Sequence, residues 1–298
     1  MRAMVRFALP ALALLIAGCS PLKTFNMLTP MDAGVARAAK DQAFASGARG
    51  RLDLYAPANV AADARLPVIV FFYGGSWNSG DKGGYEFAGR ALAAQGFVVA
   101  IPDYRLVPEI RYPAFLEDSA AAVKWVRANV GRYGGDPDQI VLAGHSAGAY
   151  NAAMLSVDPR WLGADRGAVK GFAGIAGPYD FLPLDTQVTK DTFGREADLA
   201  ATQPVSFASA DDPPALLLAG GKDELVLPAQ SVRMAMALSD AGVPVETRVY
   251  PDVGHVGILT ALSKLLRGNA PVAADVAAFA RRVTGGAAAP PRPARPAS

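Results

Sequence analysis

Apolar residues in this chain gather in short runs that glycine and proline interrupt. The run Pro67-Val68-Ile69-Val70-Phe71-Phe72-Tyr73 is continuous, β-branched and aromatic, the signature of a strand buried on both faces. Similar runs at 96–101, 140–143, 170–175, 215–219 and 245–250 predict further strands. Arg51-Leu52-Asp53-Leu54-Tyr55 alternates instead, which predicts an edge strand closed by Ala56-Pro57. Helical spacing lies between the runs, at 85–94, 117–130, 149–155, 229–241 and 272–283. Strands alternating with helices through short turns predict an α/β fold, a mostly parallel, twisted sheet with helices on both faces.

Three stretches stand outside the alternation. Residues 21–48 are helix-compatible in places and show no clear strand, so they read as a linker with a helix that packs on the domain. Residues 177–214 lack a strand-like run and are expected to form a small cap or a long loop; structureless loops of that length are uncommon unless functional. The segment 285–298 is Gly, Ala, Pro and Arg and cannot bury a core.

Hydrophobic residues make up 51% of the 298, ample for the core of one large domain. The formal net charge is +2 and the cations are scattered, which excludes a nucleic-acid-binding patch. One cysteine, Cys19, and two histidines, His145 and His255, exclude an internal disulfide and a Cys/His zinc site. They also leave only two candidates for a histidine base. No metal or organic cofactor is implied.

The first residues carry two arginines, followed by an apolar run at 7–17 broken by Pro10. That run is shorter than the ~20 residues a bilayer span needs, and it reads as a secretory signal peptide. Ile16-Ala17-Gly18-Cys19 also resembles a bacterial lipobox. The resemblance implies a lipid on Cys19, a membrane tether and a place in the bacterial cell envelope. Ser20, where inner-membrane retention favours aspartate, points to the outer membrane with the domain facing the periplasm. The expected organisation is a signal peptide over 1–18, an anchor, linker and N-terminal segment over 19–48, an α/β domain over 49–284 and a disordered tail over 285–298.

Gly144-His145-Ser146-Ala147-Gly148 sits between the strand expected at 140–143 and the helix expected at 149–155. A serine hydroxyl becomes a useful nucleophile on a sharp turn beside a base and amide donors. Asp223 follows the run at 215–219, and His255 follows the run at 245–250. In a parallel sheet such loops open on the carboxyl edge, where ligands bind. Ser146, His255 and Asp223 are therefore the candidate nucleophile, base and orienting acid. His145 is the rival base, set aside because the residue before a nucleophile normally points its side chain away. Glu224, Asp252 and Asp180 are the rival acids.

Together with Tyr73-Gly74-Gly75-Ser76-Trp77 and Pro102-Asp103-Tyr104-Arg105-Leu106, these motifs resemble α/β-hydrolases of the carboxylesterase, arylformamidase and hormone-sensitive-lipase-like group. The likeness covers about residues 51–283. It implies an α/β-hydrolase fold with a small cap or none. It also implies a serine hydrolase that cuts ester bonds of small or aromatic substrates through an acyl-enzyme. An arylformamidase-like amidase is the second reading, and a non-catalytic binding module at the envelope is the rival from another class.

Carried over by position, the oxyanion donors are the amides of Gly75 or Ser76 and of Ala147, with Gly74 and Gly75 letting the backbone approach closely. Relatives usually have His-Gly-Gly, and Tyr73 replaces the histidine here, a departure that bears on substrate preference. Tyr73, Trp77, Tyr179 and Phe181 are candidates for lining a substrate pocket and equally for packing. Asp103 and Arg105 read as a structural ion-paired loop, and Asp118 as a residue heading a helix and complementing its dipole. Acyl length, ester against amide preference and oligomeric state leave no signal in the sequence.

Overall fold

In the computed structural model, which describes residues 21–285, an eight-stranded sheet carries the fold. Its strands are β1 (Val35–Ala43), β2 (Arg51–Pro57), β3 (Leu66–Phe72), β4 (Val98–Pro102), β5 (Gly135–His145), β6 (Val169–Ile175), β7 (Ala215–Gly220) and β8 (Val245–Tyr250). They lie in the order β1-β2-β4-β3-β5-β6-β7-β8. The β1–β2 and β2–β4 pairings are antiparallel, and every pairing from β4 through β8 is parallel. The helices are α1 (Pro21–Leu28), α2 (Glu86–Ala93), α3 (Ala114–Asn129), α4 (Ala147–Val157), α5 (Pro159–Leu162), α6 (Gln187–Phe193), α7 (Ala229–Asp240), α8 (His255–Thr260) and α9 (Val272–Val283).

The central strands feed two cores by alternation. Ile69 and Phe71 of β3, Val99 and Ile101 of β4, and Leu216 and Leu218 of β7 face one core, shared with α2 and α9. Val68, Val70, Val98, Ala100 and Leu217 face the other, shared with Val126 of α3, Ala152 of α4 and Leu238 of α7. Burial on both faces explains why these strands read as unbroken apolar runs. The parallel sheet places the loops after β5, β7 and β8 on one edge, as the alternation of elements predicts.

Residues 21–48 depart from the expectation of a segment without strands. Val35–Ala43 forms the antiparallel edge strand β1, and β2, expected at the edge, lies inside the sheet with Leu52 to Ala56 buried. The signal was weak because β1 is rich in Ala, Arg, Lys and Gln, all good helix formers, and its side chains alternate only between exposed and half-buried. Pairing with β2 overrides that preference. Helix α1 packs on the domain as expected: Asn26 Oδ1 accepts a hydrogen bond from the Phe87 amide at 2.8 Å, and Phe25 meets Phe87 edge-on at 5.2 Å.

Residues 177–214 form a small cap. It holds α6 and two single 3₁₀ turns, at Ala200–Thr202 and Pro204–Phe207. The Tyr150 hydroxyl donates to the Thr202 carbonyl at 2.7 Å, and the Phe181 amide donates to the Gln203 side chain at 2.8 Å, so the cap is fastened to α4 and to itself. The expected signal peptide, Cys19 and residues 286–298 lie outside the described residues.

Charges lock the loop after β4. Arg105 makes a forked pair with Asp118, which sits in the second turn of α3 rather than heading it, so its role is to hold this loop and not to complement the dipole. Lys82, with its ammonium nearly buried, reaches Asp53 on β2 at 2.8 Å and Asp41 on β1 at 2.5 Å. The Lys82 amide also donates to Asp103 Oδ1 at 2.8 Å. Removing one partner of a buried pair strands the other charge without water. Lys82→Met is therefore expected to lower the free energy of unfolding by about 3 kcal/mol in urea titration, because Asp53 stays buried. A loss below about 0.5 kcal/mol, the size typical of an exposed pair, would show that water reaches Asp53.

Candidate active site

The backbone at Ser146 is tightly constrained. Ser146 links β5 to α4 with φ 55° and ψ −124°, a conformation that side chains rarely adopt. The turn closes because its two glycines have no Cβ. A Cβ on Gly144 would lie 2.3 Å from the Gly148 carbonyl oxygen, and one on Gly148 would lie 2.1 Å from that of Phe72. The strained turn lifts the Ser146 side chain above the ends of the strands.

Three candidate residues meet there. Ser146 Oγ lies 2.9 Å from His255 Nε2, and His255 Nδ1 lies 2.8 Å from Asp223 Oδ2. Asp223 also accepts from the amides of Leu225, at 3.0 Å, and Val226, at 2.8 Å, through its other oxygen. A carboxylate only accepts, so the proton on His255 belongs to Nδ1, and Nε2 is left to receive the serine proton. None of the rival acids pairs with His255: Asp180 pairs with Arg233 at the cavity wall, Asp252 pairs with Lys222 in water, and Glu224 is exposed.

The loop after β3 faces Ser146. Among the described residues the amides of Gly75, Ser76 and Ala147 find no partner, whereas the Gly74 amide donates to the Tyr85 hydroxyl at 3.0 Å. Gly74 is thus removed from the set of free donors. Its contribution is space, since a Cβ there would stand 2.9 Å from the His145 carbonyl oxygen and 3.0 Å from Ser146 Cβ. Gly75, Ser76 and Trp77 all have positive φ, so the chain turns sharply in this loop.

Two cavities meet at Ser146. One, of about 350 Å³, is bordered by Trp77, Phe181, Leu182, Leu227 and Arg233. The other, of about 510 Å³, is bordered by Pro21, Leu22, Phe25, Leu225, Val256 and Leu259. Trp77 and Phe181 therefore line a pocket, while Tyr73 and Tyr179 do not. Tyr73 is fully buried, stacked on Tyr104 at 4.5 Å, with its hydroxyl receiving Arg49 at 3.0 Å. Tyr179 is fully buried against Gly174 and Gly177. Both turn inward because aromatic neighbours and missing side chains leave room beneath the loops.

Sequence reasoning missed the cavity walls from α1 and the loop at 225–227. The apolar run Leu225-Val226-Leu227 just after Asp223 and Glu224, and the i, i+3 pair Leu22 and Phe25, were the available signals. It also misplaced His145. The His145 ring does not point away but packs 4.7 Å from the His255 ring, and its Nε2 donates to the His255 carbonyl at 3.0 Å. Burial, reinforced by the His255 charge, pulls its pKa down to about 3, and its Nδ1 has no partner.

A family model described as BD-FAE matches residues 52–238. Esterase LipQ of Mycobacterium tuberculosis is 31% identical over 237 residues, which cover 72% of this chain and 56% of that protein. Esterase LipC of the same organism is 33% identical over 190 residues, covering 56% of this chain and 46% of that protein. The chain thus spans about half the length of the curated relatives it matches. The crystal structure of Esterase B from Lactobacillus rhamnosis superposes with a TM-score of 0.77 at 20% identity, covering 92% of this chain and 93% of that one. At that identity the likeness shows the fold, an α/β-hydrolase.

Neutral His145 makes stability depend on pH in a defined direction. Its folded-state pKa lies below the ordinary 6.5, so the unfolded chain binds the proton first. The contribution is complete above about pH 6.5 and drains away toward about pH 3, at up to ~1.4 kcal/mol per pH unit. In urea titrations, the native chain is expected to lose about 2 kcal/mol more than His145→Gln between pH 7 and pH 5. Equal losses would mean that the ring titrates normally in the folded protein.

Proposed function

The chain belongs to the BD-FAE family of α/β-hydrolases, and on that premise we propose that it hydrolyses carboxylic esters of small or aromatic substrates with Ser146 as nucleophile. One observation supports this above the rest: the hydrogen-bonded series Asp223, His255, Ser146 ends beside unpartnered amides. His255 Nε2 takes the serine proton as Oγ attacks the ester carbonyl. The Ala147 amide, with that of Gly75 or Ser76, receives the developing oxyanion; loss of one such donor costs about 3 kcal/mol in the transition state. His255 returns the proton to the leaving alcohol, and an acyl-enzyme on Ser146 remains. Water, deprotonated by the same imidazole, attacks the acyl carbonyl, and the imidazolium returns that proton to Ser146 Oγ as the acid leaves. Asp223, held by two backbone amides, keeps Nδ1 protonated and the ring in register.

The same reading places the protein in the bacterial envelope, tethered by a lipid on Cys19 at the outer membrane and facing the periplasm. Its support is the lipobox-like Ile16-Ala17-Gly18-Cys19 and the Ser20 that follows. Cys19→Ser is expected to move the protein from the membrane to the soluble fraction and to abolish incorporation of radiolabelled palmitate. Continued labelling of that variant overturns the tether.

For the chemistry, a fluorophosphonate probe is expected to label the native chain and not Ser146→Ala. His255→Ala should lower kcat on p-nitrophenyl butyrate by about 10³-fold or more, with melting within a few degrees of native. A folded native sample that neither takes the probe nor hydrolyses any member of a nitrophenyl ester panel would leave a binding module on a hydrolase fold as the better description.

A further inference from the structure

Among the described residues, large apolar side chains left in water are not scattered. Four of ten, Leu182, Leu225, Leu227 and Val256, border the cavities at the candidate site. Two more, Met27 and Leu28, 74% and 73% exposed, end the helix whose Pro21, Leu22 and Phe25 wall the larger cavity. A rim of this kind around a site marks a surface that meets something apolar.

The chain indicates what that is. Cys19 stands two residues before Pro21, so covalent geometry keeps their Cα atoms within about 8 Å. Pro21 itself borders the cavity beside Ser146. A lipid on Cys19 sets that residue at the bilayer surface, and the cavity mouth comes with it. We propose that the rim formed by Met27, Leu28, Leu225, Leu227 and Val256 seats on a lipid bilayer, and that the site takes esters of amphiphiles held in that bilayer. Their apolar chains pass into the cavity walled by α1 without crossing water, and the ester reaches Ser146. The tether then acts as an orienting device as well as an anchor. This inference rests on the esterase reading and on the lipid at Cys19.

Two readouts on the full chain test it. In the first, backbone hydrogen exchange is followed with and without dioleoylphosphatidylcholine vesicles. Slower exchange with vesicles is expected at 27–29 and 225–227 and not at 209–214, which lies before β7 on the opposite sheet edge. Protection that is absent or uniform overturns the proposal. So does a rim already protected without lipid, which would assign it to a second copy of the chain or to residues 7–17.

In the second, hydrolysis is compared on dioleoylglycerol carried in the same vesicles and on dissolved p-nitrophenyl acetate. Met27→Ser with Leu28→Ser, and separately a Gly/Ser spacer of about 20 residues placed between Ser20 and Pro21, are expected to lower the vesicle-borne rate about tenfold. Both should leave the dissolved-ester rate within about twofold of native. Equal vesicle-borne rates in native and spacer proteins overturn the orienting role. Failure of the native chain on the dissolved ester, with the rim still protected by vesicles, overturns the esterase reading and the substrate class together, and leaves the lipid-facing surface standing.

Discussion

The backbone at Ser146 sets the terms for everything around it. A serine at φ 55° between a buried strand and a buried helix is costly, and it persists because its neighbours leave no alternative. β5 lies between β3 and β6, paired regularly with both over the residues before Ser146, and the Ser146 amide still donates to the Ile175 carbonyl at 2.9 Å. α4 starts at once and is buried along its whole length. Only glycine at 144 and 148 lets strand and helix approach closely enough for the turn to close. Position and strain of the hydroxyl are therefore properties of the whole sheet, not of the loop.

The electrostatics of the site follow from the same crowding. Asp223 is buried, yet two amides and one imidazole satisfy it. His145 is buried beside His255 with nothing anionic facing it, and burial keeps it neutral. Two imidazoles 4.7 Å apart are thus given different work by their surroundings. One has a carboxylate at Nδ1 and can carry a proton. The other donates to the backbone of the first and holds its carbonyl in place. A charged His145 would oppose an imidazolium on His255, so its neutrality leaves that ring free to take up a proton.

What was legible in the sequence tracks what depth of burial dictates. Strands β3 to β7 announced themselves because both faces are covered, and the loops after β5, β7 and β8 then had to share an edge. Ser146, Asp223 and His255 could be brought together on that basis alone. β1 was hidden because an edge strand of Ala, Lys and Gln alternates only between exposed and half-buried small or polar residues, and only its partner β2 makes it a strand. Tyr73 and Tyr179 were ambiguous because a large aromatic beside a catalytic motif is equally good as floor or as wall. Gly174 and Gly177 decide for floor at Tyr179, and the stacked Tyr104 does so at Tyr73. Residues distant in sequence made those decisions, and no local pattern records them.

The N-terminal helix shows how far this reaches. A short helix joined to a sheet edge by a few residues is marginal by itself. Here Asn26 caps the start of α2 by accepting the Phe87 amide, and Phe25 fills the space beside that ring, so α1 is tied to the domain by both a polar and an apolar contact. The face left over turns Leu22 toward the cavity at Ser146 while Met27 and Leu28 stay in water. A helix kept only for stability would bury its leucines and methionine. This helix also walls a cavity through Leu22 and Phe25, and it leaves Met27 and Leu28 exposed beyond that wall.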